Sequence, residues 1–178
     1  MGKEIFHGKD SREKLLKGVN ELANAVRVTL GPRGRNVIIE RDGTPHITKD
    51  GVTVAKAVEF SDSAVNLGAQ IIKEASQQTA DHAGDGTTTS TVLAQHIFNE
   101  GMKAVEAGAN PIELYRGMQI SVKEIVKHLV DNVSLNVKTN EAIKNIATIS
   151  ANGDSEIGSI IAEAIGQVGN DGVVTVEE

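Results

Sequence analysis

Apolar residues recur at helical spacing over most of the chain and at strand spacing over a few short stretches. The first helical pattern is capped by Asp10 or Ser11 and must end before Gly31, because Pro32 cannot continue a helix. Its apolar face consists of Leu15, Leu16, Val19, Leu22, Ala23, Val26 and Leu30. Residues 3–7 alternate apolar and polar side chains and predict a short edge strand.

The segment after this helix predicts a β-hairpin. Residues 36–40 have the composition of a strand, Asp42-Gly43 is a strong hairpin-turn signal, and residues 46–48 return. Lys49-Asp50-Gly51 predicts a second tight turn, because Asp and Gly both favour turns. Residues 52–58 then predict a helical or irregular segment.

Long helical patterns follow, one over residues 62–82, one ending at Ala107 and one opening at Asn110-Pro111. Short turns between long helices predict antiparallel neighbours in a bundle. Gly68 is unfavourable inside a helix, so it predicts close helix packing. The expected buried positions of the first pattern are Val65, Leu67, Ile71, Ile72 and Ala75. The last pattern carries the apolar residues Leu114, Met118, Ile120, Val122, Ile125, Val126 and Leu129.

A polar stretch without helical periodicity, residues 131–140, predicts a domain boundary that divides the chain into 1–132 and 133–178. Two further helices are expected, over residues 141–146 and 155–168. A turn at 169–172 then leads into a strand over 173–176. The predicted fold is therefore mainly α, an antiparallel long-helix bundle with a small β-hairpin, followed by the start of an α+β domain.

The stretch from Ala83 to Thr91, AGDGTTTST, carries the candidate chemistry. Its two glycines permit a tight turn, and its threonines fall on the first turn of a helix, where backbone N–H groups lack intrahelical partners. Such N–H groups and the helix dipole favour phosphate, and Asp85 is a hard oxygen ligand suited to Mg²⁺. The simpler interpretation is a turn followed by a capped helix. Five consecutive hydroxyl residues exceed what a cap needs and favour the phosphate site.

Composition narrows the classes of protein further. The net charge of −6 argues against a nucleic-acid-binding face, and the absence of cysteine excludes disulfides and thiolate metal sites. No apolar run has the length of a membrane span, and the first residues lack a signal core, so a cytoplasmic location is expected. The five histidines lack metal-pair spacing, and no Walker A motif occurs, which disfavours a metabolic kinase.

Several blocks in order resemble the N-terminal third of the group I chaperonins. The matching stretches are residues 28–37, 47–52, 83–89, 101–105, 147–152 and 172–177. The resemblance implies an equatorial ATP-binding domain over 1–132 and the outward part of an intermediate domain over 133–178. The family's apical domain and returning segments have no counterpart in this sequence.

The resemblance also implies roles for single residues. Asp50 would position the attacking water as the catalytic group, and Asp85 would bind the metal. Ile149 and Ser150 would lie beside the nucleotide base. The residues implied to bind nucleotide are Thr29, Leu30, Gly31, Pro32, Lys49, Asp85, Gly86, Thr87, Thr88, Thr89, Ile149 and Ser150.

The implied function is that of an ATP-dependent chaperone subunit that assists protein folding within a ring of like subunits. ATP and Mg²⁺ are the expected cofactors. Unfolded client proteins and a co-chaperonin would bind through the apical domain, and neither nucleic acid nor a membrane is an expected partner. The family's main hydrolytic aspartate lies outside the matched segments, so little turnover is expected. The alternative is a nucleotide-binding or structural fragment without hydrolysis or client binding.

Overall fold

The computed structural model describes residues 4–169 and 172–175. By their contacts these residues form two compact units, one up to Leu114 and one from Tyr115 onward. The division falls inside a helix with no buried side chain, so it does not test the domain boundary predicted between residues 132 and 133. That boundary stays a prediction.

Helices dominate the described residues, and the predicted class of a helical bundle with a small hairpin is confirmed. The helices are α1 (Gly8–Arg27), α2 (Gly51–Ala57), α3 (Ser63–Ala83), α4 (Thr87–Glu106), α5 (Pro111–His128), α6 (Asn140–Ser150) and α7 (Ser155–Val168). A π-helical turn, Leu129–Val133, extends α5. The strands are β1 (Val37–Arg41) and β2 (Thr44–Thr48).

The start of the chain differs from the prediction. Residues 4–7 form no strand, residue 3 lies outside the described residues, and α1 begins at Gly8 rather than after a cap at Asp10 or Ser11. The Ser11 hydroxyl donates instead to the carbonyl of His7, at 2.9 Å. Because this hydroxyl bonds backward to a carbonyl, it stabilises the first turn without capping an N–H group.

The hairpin forms as predicted, with Val37 opposite Thr48 and a two-residue turn between the strands. Asp42 and Gly43 both have positive φ (53° and 76°), as the primed turn of a tight hairpin requires. The second turn predicted at residues 49–51 is wrong. Asp50 is the N-cap of α2, and its carboxylate accepts from the Thr53 N–H at 2.8 Å.

The core of the first unit lies where α1, α2 and α3 meet. Its buried cluster is Val19, Leu22, Val26, Val54, Ala55, Ala69 and Ile72. Helices α1 and α3 approach so closely that a Cβ on Gly18 would overlap the carbonyl oxygen of Val65. A Cβ on Gly68 would likewise overlap that of Leu15, which confirms the packing role predicted for Gly68.

Several predicted core positions lie at the surface. Val65 and Ile72 of α3 are buried and Ala75 is half-buried, but Leu67 and Ile71 are exposed. The α3 face that meets α1 is lined by smaller residues, because only these allow the backbones to come so close. Leu30, predicted as the last core position of α1, is 43% exposed, and Thr29 is buried in its place.

Helix α5, most of which belongs to the second unit, has no buried side chain, although its apolar residues recur at helical spacing. Helices α6 and α7 pack together, with Ala147 and Ala162 buried and Gly158 against Thr148. The strand predicted after them is wrong over residues 173–175, which are irregular, while residue 176 lies outside the described part. Of the predicted 169–172 turn, the structure describes a bond from the Gly172 N–H to the Gly169 carbonyl, at 3.0 Å.

Replacing Gly68 with alanine should destabilise the first unit, because the new Cβ would also lie 2.9 Å from the Leu15 carbonyl carbon. We expect urea unfolding to show a loss of about 1–3 kcal/mol. Gly101→Ala in α4 is the matched control, since the nearest atom to its Cβ would be 4.0 Å away. The control should gain about 0.5–1 kcal/mol. Equal effects of the two substitutions would contradict the close crossing.

The start of α3 is tied to α1 by an ion pair, with Lys14 Nζ 3.1 Å from Asp62 Oδ2. The bond from Lys14 and the N–H groups of Val65 and Ala64 hold the pKa of Asp62 below its usual 3.8. The bond to Asp62 raises the pKa of Lys14 above its usual 10.5. The contact therefore stabilises the fold fully at pH values between the usual pKa values of the two groups. It is lost as the pH falls through the lowered pKa of Asp62 or rises through the raised pKa of Lys14.

The substitution Asp62→Asn tests this pH dependence, because asparagine keeps the cap and removes the charge. The difference from the wild type in free energy of unfolding should stay constant over about pH 5 to 9. It should shrink as the pH falls through the lowered pKa of Asp62, and again as it rises through the raised pKa of Lys14. Urea titrations across this range measure the difference, and a difference insensitive to acid would count against the ion pair.

Candidate nucleotide site

Three loops of the first unit meet at the N-terminus of α4: the loop after α1, the junction between β2 and α2, and the turn between α3 and α4. The Thr29 and Thr88 hydroxyl oxygens lie 3.2 Å apart. Gly51 lies so close to Thr88 that a Cβ would overlap the Thr88 hydroxyl. The structure thus brings together one residue from each of the three predicted segments.

The turn between α3 and α4 is built by two glycines in the left-handed region, Gly84 (φ 74°) and Gly86 (φ 86°). Between them Asp85 is exposed, and its carboxylate accepts from the Gly86 N–H at 2.6 Å. Among the described residues no side chain caps α4, whereas Asp62 caps α3 with bonds to two N–H groups. The first turn of α4 therefore presents backbone N–H groups and the positive end of the helix dipole to an anion.

The five hydroxyl residues at the start of α4 divide into two groups. Ser90 and Thr91 donate to the Thr87 carbonyl at 2.9 and 2.8 Å, so their hydroxyls serve the helix itself. Thr88 meets Thr29, and within the described part of the chain Thr87 and Thr89 make no side-chain hydrogen bond. Fewer of these hydroxyls face a ligand than the sequence pattern alone suggests.

The loop after α1 is folded back on itself. The Gly34 N–H donates to the Gly31 carbonyl at 2.9 Å, and the Arg35 N–H donates to the Val28 carbonyl at 2.7 Å. A Cβ on Gly34 would overlap the Thr29 carbonyl oxygen, so this position requires glycine. Leu30, Gly31 and Pro32 form the exposed tip of the loop.

Thr29 itself is 6% exposed, and its hydroxyl donates to the Val26 carbonyl at 2.8 Å. A hydroxyl has one proton, so Thr88 is the donor in the contact between the two threonines. This contact links the loop directly to the first turn of α4.

Asp50 and Lys49 are both half-buried where β2 leads into α2. The Asp50 N–H donates to the Thr48 hydroxyl at 3.1 Å, and Asp50 Oδ2 accepts from the Thr53 N–H and hydroxyl. The predicted catalytic carboxylate is therefore held by the helix that it caps, with one oxygen engaged. Its catalytic role and the phosphate contact of Lys49 stay predictions.

Ile149 and Ser150, predicted to lie beside the nucleotide base, occupy the last turn of α6 in the second unit. Ile149 is 71% exposed. Their role stays a prediction.

Mg²⁺ fits this donor set only together with phosphate oxygens. Within the described residues, no three His, Cys, Asp or Glu side chains come together as a metal-binding group. Mg²⁺ characteristically keeps waters and uses one or two carboxylates plus substrate phosphates, so the single carboxylate of Asp85 beside an anion-binding helix end fits it.

Sequence reasoning missed Gly51, Gly34 and Thr53 as parts of this site. Gly51 matters through its close approach to Thr88, which is distant in sequence and leaves no local signal, whereas Gly34 approaches the Thr29 carbonyl within its own loop. The Asp50-x-x-Thr53 spacing is a recognisable helix start, and it could have revealed the cap.

A model of the TCP-1/cpn60 chaperonin family matches residues 22–178. Because this match covers most of its length, the chain belongs to that family. This confirms the resemblance found in the sequence.

Two solved structures of a phage protein are similar to the chain. Both are the chaperonin gp146 from the bacteriophage EL 2 (Pseudomonas aeruginosa), crystallised in the presence of ATP-BeFx. Crystal form II has a TM-score of 0.75 at 27% identity, over 93% of this chain and 29% of the phage protein. Crystal form I has a TM-score of 0.74 at 28% identity, over 90% and 29%. The chain thus spans about 29% of the length of these relatives.

Within the described ranges 4–169 and 172–175, no helix is long and apolar enough to span a bilayer.

The contact between Gly51 and Thr88 predicts that the free energy of unfolding depends on the size of the side chains at these two positions. Gly51→Ala should lower the free energy of unfolding by about 1–3 kcal/mol, because its Cβ would overlap the Thr88 hydroxyl. Adding Thr88→Ala should relieve the overlap, since it removes the hydroxyl and leaves the Cβ of residue 88 and a Val26 methyl group as the nearest atoms, at 3.2 and 3.3 Å from the new Cβ.

Thr88→Ser is the matched control, because serine keeps the oxygen and should give no relief. Urea unfolding of the single and double variants yields the coupling energy. Additive effects of Gly51→Ala and Thr88→Ala would show that the two residues do not share this space.

Proposed function

We propose that the chain is the nucleotide-binding part of an ATP-dependent chaperonin subunit that assists protein folding. The observation that carries the proposal is the uncapped, glycine-framed start of α4 with Asp85 beside it and the Thr29 loop against it. A helix N-terminus of this kind suits the phosphates of a nucleotide. The presence of ATP-BeFx in the phage chaperonin crystals supports the same ligand class.

In this proposal the turn before α4 and its first N–H groups, from Gly86 to Thr89, hold the phosphates. Asp85 provides a carboxylate for Mg²⁺, which when bound offsets phosphate charge and polarises the phosphoryl oxygens. Thr29, Leu30, Gly31 and Pro32 close over the phosphates, and Lys49 adds a positive charge near them. These contacts orient the phosphates and exclude water from them.

Asp50 is the proposed catalytic residue, because a carboxylate beside the terminal phosphate can orient a water molecule for in-line attack. One of its oxygens caps α2, which fixes the carboxylate in place and leaves the other oxygen for the water. Ile149 and Ser150 are proposed to lie beside the nucleotide base.

The rest of the proposal concerns the longer proteins that this chain matches in part. We assign residues 1–132 to the equatorial domain and 133–178 to the intermediate domain. Within a ring of like subunits in the cytoplasm, ATP hydrolysis would drive the refolding of client proteins, which bind with a co-chaperonin through an apical domain. The acidic, cysteine-free composition suits that compartment.

A specific observation favours the alternative of a fragment without hydrolysis. Several apolar residues of α5, among them Ile120, Ile125 and Val126, are more than half exposed. A helix with such a stripe is stable when the stripe is covered, so the chain alone would associate or bind hydrophobic dyes. Turnover by a monomeric chain would argue against this alternative.

The substitution Asp85→Asn tests the proposed site, because the amide oxygen can still accept from the Gly86 N–H while the charge for Mg²⁺ is lost. We expect Mg²⁺ to tighten ATP binding to the wild type and to lose about 1.4 kcal/mol or more of that effect in the variant. Titration calorimetry with and without Mg²⁺ measures this.

The matched control is Asp81→Asn, a nearby exposed carboxylate that accepts from Gln77 on its own helix. It should leave the Mg²⁺ effect intact. If Asp85→Asn binds Mg–ATP as tightly as the wild type does, Asp85 is not the metal ligand.

A further inference from the structure

A polar stripe runs along α4 on the side that meets α1, beside Ala94 and Phe98, which pack against the apolar core. Thr88, Thr91, Gln95 and Asn99 follow one another at helical spacing, and Thr91 and Gln95 are 0% and 3% exposed. Most buried helix contacts are apolar, so two fully buried polar side chains in succession are unusual. Thr91 is satisfied within α4, through the Thr87 carbonyl, whereas Gln95 is satisfied entirely by α1.

Gln95 uses its whole carboxamide to bind α1. Its carbonyl oxygen accepts from Arg27 Nη2 at 2.6 Å, and its amide nitrogen donates to the side-chain oxygens of Asn20 and Asn24 at 2.8 and 3.3 Å. The three partners lie at i, i+4 and i+7 on α1, so they form one stripe on that helix. One amide is therefore hydrogen-bonded to two successive turns of α1.

Two flanking contacts extend this polar contact between α1 and α4. Asn99 donates to the same Asn20 oxygen at 2.9 Å, and Arg27 Nη2 lies 3.2 Å from His96 Nε2. A guanidinium can only donate, so His96 accepts with its proton on Nδ1. Arg27 therefore contacts two consecutive residues of α4.

Directional bonds of this kind select one register, whereas an apolar seam tolerates small shifts along the helix axis. Sliding α1 against α4 would leave the Gln95 amide buried without partners, at a considerable free-energy cost. The register has a consequence at the candidate site, because Arg27 is two residues before Thr29 and Gln95 is two turns after Thr88.

We infer that Gln95, through Arg27, is a positioning residue of the nucleotide site. The bond between them holds the C-terminal turn of α1 at the height on α4 where Thr29 meets Thr88, and thereby shapes the loop over the phosphates. Gln95 itself lies two turns along α4 from the phosphate-binding end and touches no ligand. The expected effect on nucleotide binding rests on the proposed function, whereas the expected effect on the loop after α1 does not.

Two substitutions test the inference by removing opposite ends of the bond. Gln95→Leu keeps the buried volume approximately and removes every bond of the amide, and Arg27→Ala removes the guanidinium of an exposed residue. A displacement of about 1 Å in a binding group can weaken its effect greatly, so we expect Mg–ATP affinity to fall about tenfold or more in each variant. The double variant should lose no more than either single one.

The rescue variant is Gln95→Glu, whose carboxylate can pair with Arg27 while Asn20 and Asn24 turn their amides to donate. It should recover most of the affinity that leucine loses. Ile72→Val, a cavity-forming change in the apolar core between α1 and α3, is the control for stability. It should lower the midpoint of urea unfolding without weakening Mg–ATP binding.

Hydrogen exchange without nucleotide provides the independent measurement. The N–H groups of Gly34 and Arg35, which close the loop onto Gly31 and Val28, should exchange faster in Gln95→Leu and Arg27→Ala than in the wild type. The amides in the middle of α3 should not change. Ile72→Val should leave the loop amides as they are in the wild type.

The outcomes separate the two claims. Lower stability with unchanged loop exchange and unchanged affinity would overturn the inference and leave the proposed function in place. A wild type that binds no Mg–ATP would overturn the proposed function for this chain. The exchange rates of the Gly34 and Arg35 amides would then be the test of whether Gln95 positions the loop.

Discussion

The close crossing of α1 and α3 is the constraint on which the first unit depends. Gly18 and Gly68 let each helix rest on the backbone of the other, so no side chain of ordinary size separates them at that point. This contact sets the depth of the apolar core and the direction in which α1 leaves it. Because α1 ends in the loop that carries Thr29, and α3 ends in the turn that carries Asp85, the crossing also sets the frame of the candidate site.

Helix α1 meets its two long neighbours through different kinds of contact. Toward α3 it buries apolar side chains and glycines, which stabilise the fold by excluding water and packing densely. Toward α4 it presents amides and a guanidinium, which contribute less net stability but define orientation. The apolar side holds the unit together, and the polar side determines where its ends meet.

The site is assembled from close approach rather than from unusual residues. Thr29, Gly51 and Thr88 are ordinary in composition, and their contact depends on the absence of a Cβ at Gly51 and at Gly34. The first turn of α4 is open because a glycine, not a capping side chain, precedes it. The proposed phosphate site therefore needs few charged groups, since backbone N–H groups would supply much of the field that attracts an anion.

The sequence by itself determined the helices, the hairpin and the turn around Asp85, because periodicity, caps and glycine–aspartate signals act over a few residues. It also identified the candidate phosphate-binding stretch, whose residue types state their chemistry locally. It could not determine which apolar positions are covered: Leu67, Ile71 and most of the apolar stripe of α5 have core periodicity and lie at the surface. Burial requires a facing surface, and only the tertiary structure decides where one is. The same holds for Gly51 against Thr88 and for Gln95 against Arg27, since contacts between residues far apart in sequence leave no pattern along the chain.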